Sequence, residues 1–108
     1  MKKKLAHELR ERIVRSFLDF LILAILTRNP SMSADDLAKY IHQKLKVSLS
    51  LGILCSHLFH LERHGLILGD SIKNRKSYRI TQKGKEKVDI AKKHKNATKL
   101  LIDQILEG

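Results

Sequence analysis

At 108 residues, 43% hydrophobic and with a formal net charge of +11, the chain is sized for one domain with a modest core, and little surface is left for a separate enzyme domain. Its single cysteine, Cys55, excludes an intramolecular disulfide and a zinc ribbon and fits a reducing cytoplasm. So basic a balance points to DNA or RNA, because neutralising phosphates releases bound counterions, with an anionic membrane surface as the rival.

The charge is localised. Residues 73–99 carry eleven Lys or Arg against Glu86 and Asp89, and residues 1–16 carry six against Glu8 and Glu11. Residues 17–71 balance to zero. Two basic segments therefore flank a near-neutral scaffold. The Met1-Lys2-Lys3-Lys4 start is not followed by a secretory apolar region, because charges interrupt residues 5–15. The apolar run over residues 20–26 is far shorter than the ~20 residues of a membrane span.

In chain order, the first helix is expected over about residues 4–27. Its second half is apolar on nearly every side, whereas a surface helix of a monomer shows one apolar stripe. One face serves its own core, and the other is taken to meet a partner subunit. Pro30 ends this helix by pushing the residue before it out of helical geometry. Ser33 before Ala34-Asp35-Asp36 opens a second helix, with Leu37, Ala38, Ile41 and Leu45 on one face and an end near Lys46. A third helix starts after Ser48 or Ser50, buries Leu54, Leu58 and Leu61, and stops at Gly65. Leu66-Ile67-Leu68 reads as a strand and residues 70–76 as a polar turn. Ser77-Tyr78-Arg79-Ile80-Thr81 reads as a second strand, with Tyr78 and Ile80 inward. A long last helix runs from Thr81 to about Glu107, very polar before Lys95 and greasy after Ala97. That greasy end folds back on the first helix or reaches the first helix of a second copy.

Helix, strand, basic tip, strand over residues 48–81 is the order of a winged helix-turn-helix. The fold class expected is mainly α (α+β): a three-helix core with a two-stranded β-wing and a long C-terminal helix. The chain 1–108 reads as one winged-helix DNA-binding domain, with a core of about 13–81 and dimerisation helices over about 4–27 and 82–107.

Particular strings also resemble a known family. They are Phe17-Leu18-Asp19-Phe20-Leu21-Ile22-Leu23-Ala24-Ile25-Leu26, Asp36-Leu37-Ala38, Leu58-Phe59-His60-Leu61-Glu62-Arg63-His64-Gly65-Leu66-Ile67 and Tyr78-Arg79-Ile80-Thr81-Gln82-Lys83-Gly84. Over roughly residues 13–88 they resemble the PadR-like winged-helix transcriptional regulators. The resemblance implies homodimers joined through the first and last helices, in the compact subgroup with one final helix. The family's Pro-Gly-Thr-Leu-Tyr at the recognition helix stands here as Leu51-Gly52-Ile53-Leu54-Cys55, so Ile53 and Cys55 replace two residues that often meet the DNA backbone. The family's His-Gly-Tyr before the second helix is Met32-Ser33-Ala34.

The candidate DNA contacts on the recognition helix are Ser48, Ser50, Gly52, Ile53, Ser56, His57 and His60, whose hydroxyls, imidazoles and one apolar side chain suit base edges and phosphate. An ordinary solvated helix face is the plainer reading. No Arg or Asn lies in the first turns, so base readout is sparse. On the wing and its flank the candidates are Lys73, Asn74, Arg75, Lys76, Arg79, Lys83 and Lys85, with no acid nearer the tip in the chain than Asp70. The dimer interface is assigned to Phe17, Phe20, Leu21, Ala24, Leu101, Ile102, Ile105 and Leu106. His57, His60 and His64 have metal-gripping spacing but no shell to complete it, and Cys55, beside a core leucine, reads as a small buried hydrophobe rather than a redox switch. Asp35-Asp36 suits a helix start, and no phosphate loop or nucleophile motif is present.

The expected function is sequence-specific binding of double-stranded DNA by a homodimeric transcriptional regulator, a repressor in the cytoplasm associated with the nucleoid. No enzyme activity, cofactor, metal or membrane is expected, and a small-molecule effector is possible but not indicated. The alternatives are a non-specific architectural DNA-binding protein and a winged-helix module that binds protein.

Overall fold

The computed structural model describes residues 2–107. The apolar segment after Ser16 becomes α2 (Leu18–Arg28), which buries Leu18, Ile22, Leu23, Ile25 and Leu26 at the centre of the core. The long first helix expected over 4–27 is bent into α1 (Lys2–Ser16) and α2. Phe17 sits between them at φ −106°, ψ 14°. Amide bonds from Phe17 to Ile13 (3.1 Å) and from Leu21 to Phe17 (2.9 Å) continue across the joint. The hydroxyl of Ser16 donates back to the Arg12 carbonyl at 2.8 Å, the kind of side-chain insertion that bends helices. On α1 only Val14 is buried among the described residues.

After the break at Pro30, Met32 and Ser33 form β1, a strand that the sequence reading missed. Ser33 then caps α3 (Ala34–Leu45) in a capping box: its hydroxyl accepts from the Asp36 amide, and the Asp36 carboxylate accepts from the Ser33 amide. Helix α4 (Leu51–Arg63) is capped by Ser50, whose hydroxyl accepts from the Ile53 amide at 3.2 Å. Ser48, the other candidate cap, is hydrogen-bonded to His42 instead. Gly65 ends α4 at φ +73°. The Leu66 amide reaches the Leu61 carbonyl and the Gly65 amide the Glu62 carbonyl, the paired bonds of a Schellman stop.

β2 (Ile67–Ile72) and β3 (Arg75–Ile80) pair antiparallel from Ile67↔Ile80 to Ile72↔Arg75. The loop is only Lys73 and Asn74, both at positive φ, the signature of a type I′ turn whose twist matches the strands. The strands therefore run into the segment 70–76 that was expected to be all turn. β1 adds Met32↔Tyr78 and Ser33↔Ser77, so the expected two-stranded wing is part of a three-stranded sheet, order β1-β3-β2.

The long last helix is likewise two: α5 (Gln82–Lys93) and α6 (Lys95–Glu107), separated at His94 (φ −100°, ψ 9°). Thr81 caps α5, accepting from the Gly84 amide and donating to the Gly65 carbonyl at 2.7 Å, which ties helix and wing base together. Gly84 and Val88 are the buried positions of α5, whereas every described side chain of α6 is exposed. No helix is long and apolar enough to cross a membrane among the described residues.

Candidate nucleic-acid interface

Helix α4 has four distinct sides. Leu54, Leu58 and Leu61, at spacings of four and three, are buried against the core. On the wing side, Glu62 accepts from the Gly69 amide at 2.9 Å and from Lys76 Nζ at 3.0 Å. On the α2 side, His57 Nδ1 lies 2.7 Å from Asp19 Oδ1. The remaining side, opposite the leucines, presents Gly52, Ser56, Phe59 and Arg63, all exposed and none acidic.

The candidate residues of this helix are thus divided. Ser48 and Ser50 are exposed at its N-terminal approach, engaged with His42 and the Ile53 amide respectively. Gly52 and Ser56 lie on the outer side. Ile53 is half-buried against the core cluster, whereas Cys55, expected to be buried beside Leu54, is exposed. His57 is half-buried and engaged with Asp19. His60 is exposed on the flank toward α5, its ring centroid 4.4 Å from that of His64, where both border a cleft of about 250 Å³ with Lys83 and Lys87. The sequence reading did not name Phe59 or Arg63. A helical projection from the three leucines would have placed both opposite the core.

The wing is less positive than its local sequence. Arg75 Nη2 reaches Asp36 Oδ1 at 3.2 Å and donates to the Ser33 hydroxyl at 3.1 Å. Lys76 is held by Glu62 and lies 5.4 Å from the Tyr78 ring centre. Arg79 pairs with Asp70 at 3.4 Å. Lys83 donates to the His64 carbonyl at 2.9 Å, placing a cation on the C-terminal end of α4, where the helix dipole favours it. Folding thus brings Asp36 and Glu62 to cations that looked acid-free in the chain. Among the described residues, Lys73, Asn74 and Lys85 are exposed and their side chains make no hydrogen bond or ion pair. The turn projects Lys73 and Asn74 at the hairpin tip.

These contacts shift titrations in definite directions. The Ser33 amide, then its hydroxyl and the Arg75 charge, hold the Asp36 carboxyl below its usual 3.8 against the opposing effect of burial. The Lys76 hydrogen bond and the Gly69 amide hold Glu62 below 4.5, and Glu62 in turn raises Lys76 above 10.5. A depressed carboxyl stabilises the fold above its unfolded pKa, and that contribution is lost as pH falls through the folded value. Stability should therefore decline as pH drops from above 4.5 through and below 3.8, and the Glu62→Gln variant should show a shallower decline in Tm over that window. An equally steep decline in the variant would show that the Glu62 carboxylate does not contribute.

The dimer candidates form exposed apolar surface. Phe17 and Phe20 are exposed and Leu21 and Ala24 half-buried along α2. With Val88, Ala91, Lys92 and Lys95 they line an apolar groove of about 510 Å³ between α2 and α5. Leu101, Ile102, Ile105 and Leu106 are all exposed on α6, the last two by 77% and 79%.

No sequence model of a protein family matches the chain. No curated protein is detectably similar to it in sequence. Solved structures are similar in fold. A transcriptional regulator from Clostridium thermocellum superposes with a TM-score of 0.77 at 23% identity, over 87% of this chain and 94% of that one. A PadR-family transcription regulator from Clostridium difficile gives 0.74 at 25% identity, over 83% and 98%. A winged-helix DNA-binding protein from STIV gives 0.62 at 19% identity, over 68% and 82%. The bent first helix, the helix pair α3 and α4, the hairpin and the trailing helices thus make this chain a winged-helix protein with the fold of the PadR-family transcriptional regulators.

Proposed function

We propose that residues 1–108 form one winged-helix domain that binds double-stranded DNA in a sequence-specific way as a homodimer, and that it represses transcription by occluding its site in the cytoplasm, associated with the nucleoid. The observation that carries this is the acid-free outer side of α4 beside a hairpin whose tip, Lys73 and Asn74, is exposed with no ion pair among the described residues. Ser48, Ser50, Gly52 and Ser56 would face the major groove, Ile53, His57 and His60 would lie along its edge, and Lys73, Asn74 and Lys85 would meet phosphate. Arg75, Lys76, Arg79 and Lys83 serve first as internal partners and add to the positive field around the wing. The fold of the regulators described above supports this reading. Two copies joined through Phe17, Phe20, Leu21 and Ala24 and through Leu101, Ile102, Ile105 and Leu106 would set their α4 helices on successive major grooves, ~34 Å apart on a pseudo-palindrome.

The test is a salt titration of binding to a duplex selected from a random pool. A dimer that neutralises roughly four to eight phosphates should lose affinity with a log–log slope of about −4 to −7. A flat response would refute DNA binding by this face. Competition with random duplex addresses the architectural reading, which the absence of Arg and Asn from the first turns of α4 favours. Retention of one preferred site identifies a regulator, and indifference to sequence identifies a coating protein.

A further inference from the structure

Phe59 is the most exposed large apolar residue of α4, whose Leu54, Leu58 and Leu61 are buried. It is 66% exposed, two turns along the helix, on the side opposite Leu54, Leu58 and Leu61. It contributes nothing to the core cluster. Its neighbours on that side are Ser56 and Gly52, one and two turns toward the N-terminus, and Arg63 one turn on. Gly52 and Ser56 are the smallest exposed positions of the helix, so the backbone there can approach a base-pair floor closely. A large flat side chain then projects beyond them, with a guanidinium behind it. No acid shares the side, because Glu62 is turned to the wing by the Gly69 amide and Lys76.

Resting on the DNA-binding reading above, we propose that Phe59 is the chief sequence-discriminating residue of α4 and reads the C5-methyl group of thymine in the major groove, with Arg63 on the adjoining phosphate. Ahead of Phe59 the outer side holds no bidentate hydrogen-bonding side chain for guanine or adenine edges, since Gly52 has none and Ser56 has one short hydroxyl, and its one guanidinium, Arg63, stands at the last residue of α4. The thymine methyl is the one major-groove feature that an aromatic ring can distinguish without hydrogen bonds. Withdrawal of that methyl and of part of the ring from water supplies the discrimination.

The probe is the duplex that the full chain retains from a random pool, compared with the same duplex in which uracil replaces thymine one position at a time. Uracil keeps the pairing and removes only the methyl. At one or two positions per half-site it should weaken wild-type binding about fourfold. Phe59→Ala should lose that penalty together with the preference for thymine, while Phe59→Leu, which keeps an apolar side chain, retains part of both. Lys73→Ala should weaken binding to all duplexes alike and keep the uracil penalty. Because Phe59 is exposed, its variants should fold, and the uracil series needs no variant at all. If the wild type retains no duplex, the DNA-binding reading fails and this assignment with it. If it retains a duplex but is indifferent to uracil and unchanged by Phe59→Ala, DNA binding stands and the assignment of Phe59 is overturned.

Discussion

Replacing Ile102 and Leu106 together with glutamate is expected to give a folded monomer that binds its DNA about a hundredfold or more weakly. Both side chains lie on α6, where every described side chain is exposed, so neither is needed for the core of one copy. Far-UV circular dichroism and Tm should therefore change little. In the proposed dimer the same two positions are covered, and a carboxylate there would be withdrawn from water without a partner, at a cost of several kcal/mol. Coupling two half-sites makes the second contact intramolecular at an effective concentration in the millimolar range, so uncoupling them removes roughly 10²–10⁴ in overall affinity. Sedimentation equilibrium of the variant, beside duplex binding, checks both parts. A variant that remains dimeric and binds normally would show that this face of α6 is not the interface.

A second large effect should come from a residue with no side chain. A Cβ placed on Gly84 would stand 2.3 Å from the Leu66 carbonyl oxygen and 2.7 Å from Ile80 Cγ1. The carbonyl cannot yield easily, because it already accepts from the Thr81 amide at 3.1 Å at the base of the wing. Gly84→Ala must therefore lift α5 away from the sheet and loosen Val88. The cost should be about 1–3 kcal/mol, the range for overpacking, which in a domain of this size lowers Tm by roughly 5–15 °C. Gly65→Ala is the comparison. Nothing lies within 4 Å of a Cβ there, and the penalty arises only from φ +73°, about 1–2 kcal/mol. Shortening Ile80 in the Gly84→Ala background should restore part of the loss, whereas the same change should not rescue Gly65→Ala. Absence of that rescue, with the two glycine variants equally stable, would mean that the contact at Gly84 relaxes at no cost.

Much of the fold was legible because its signals are local. Ser33 with Asp36, Ser50 ahead of Leu51, Thr81 ahead of Gly84 and Gly65 after His64 each act within a few residues, so caps and stops mark themselves in the chain. The leucine spacing of α4 likewise marked which side is buried, but of the positions expected to face out, Ile53 and His57 are half-buried, and Phe59 and Arg63 face out unannounced. The bend at Phe17 and the break at His94 left no glycine or proline to announce them, and each was read through as continuous helix.

What only the tertiary structure decided lies in contacts between distant segments. β1 is two residues long and exists because Met32 and Ser33 find Tyr78 and Ser77, so no periodicity within it could reveal a strand. Lys76 meets Glu62 14 residues away, His57 meets Asp19 38 away and Arg75 meets Asp36 39 away. Composition counted the wing cations but not their partners, since charges interact through space and the chain folds three carboxylates onto them. Amino-acid order alone therefore determined α3 and α4 with their caps and stops, the start of α5 and a basic hairpin after α4. The packing of sheet and helices decided which of those cations are already paired and left Lys73, Asn74 and the outer side of α4 exposed to solvent.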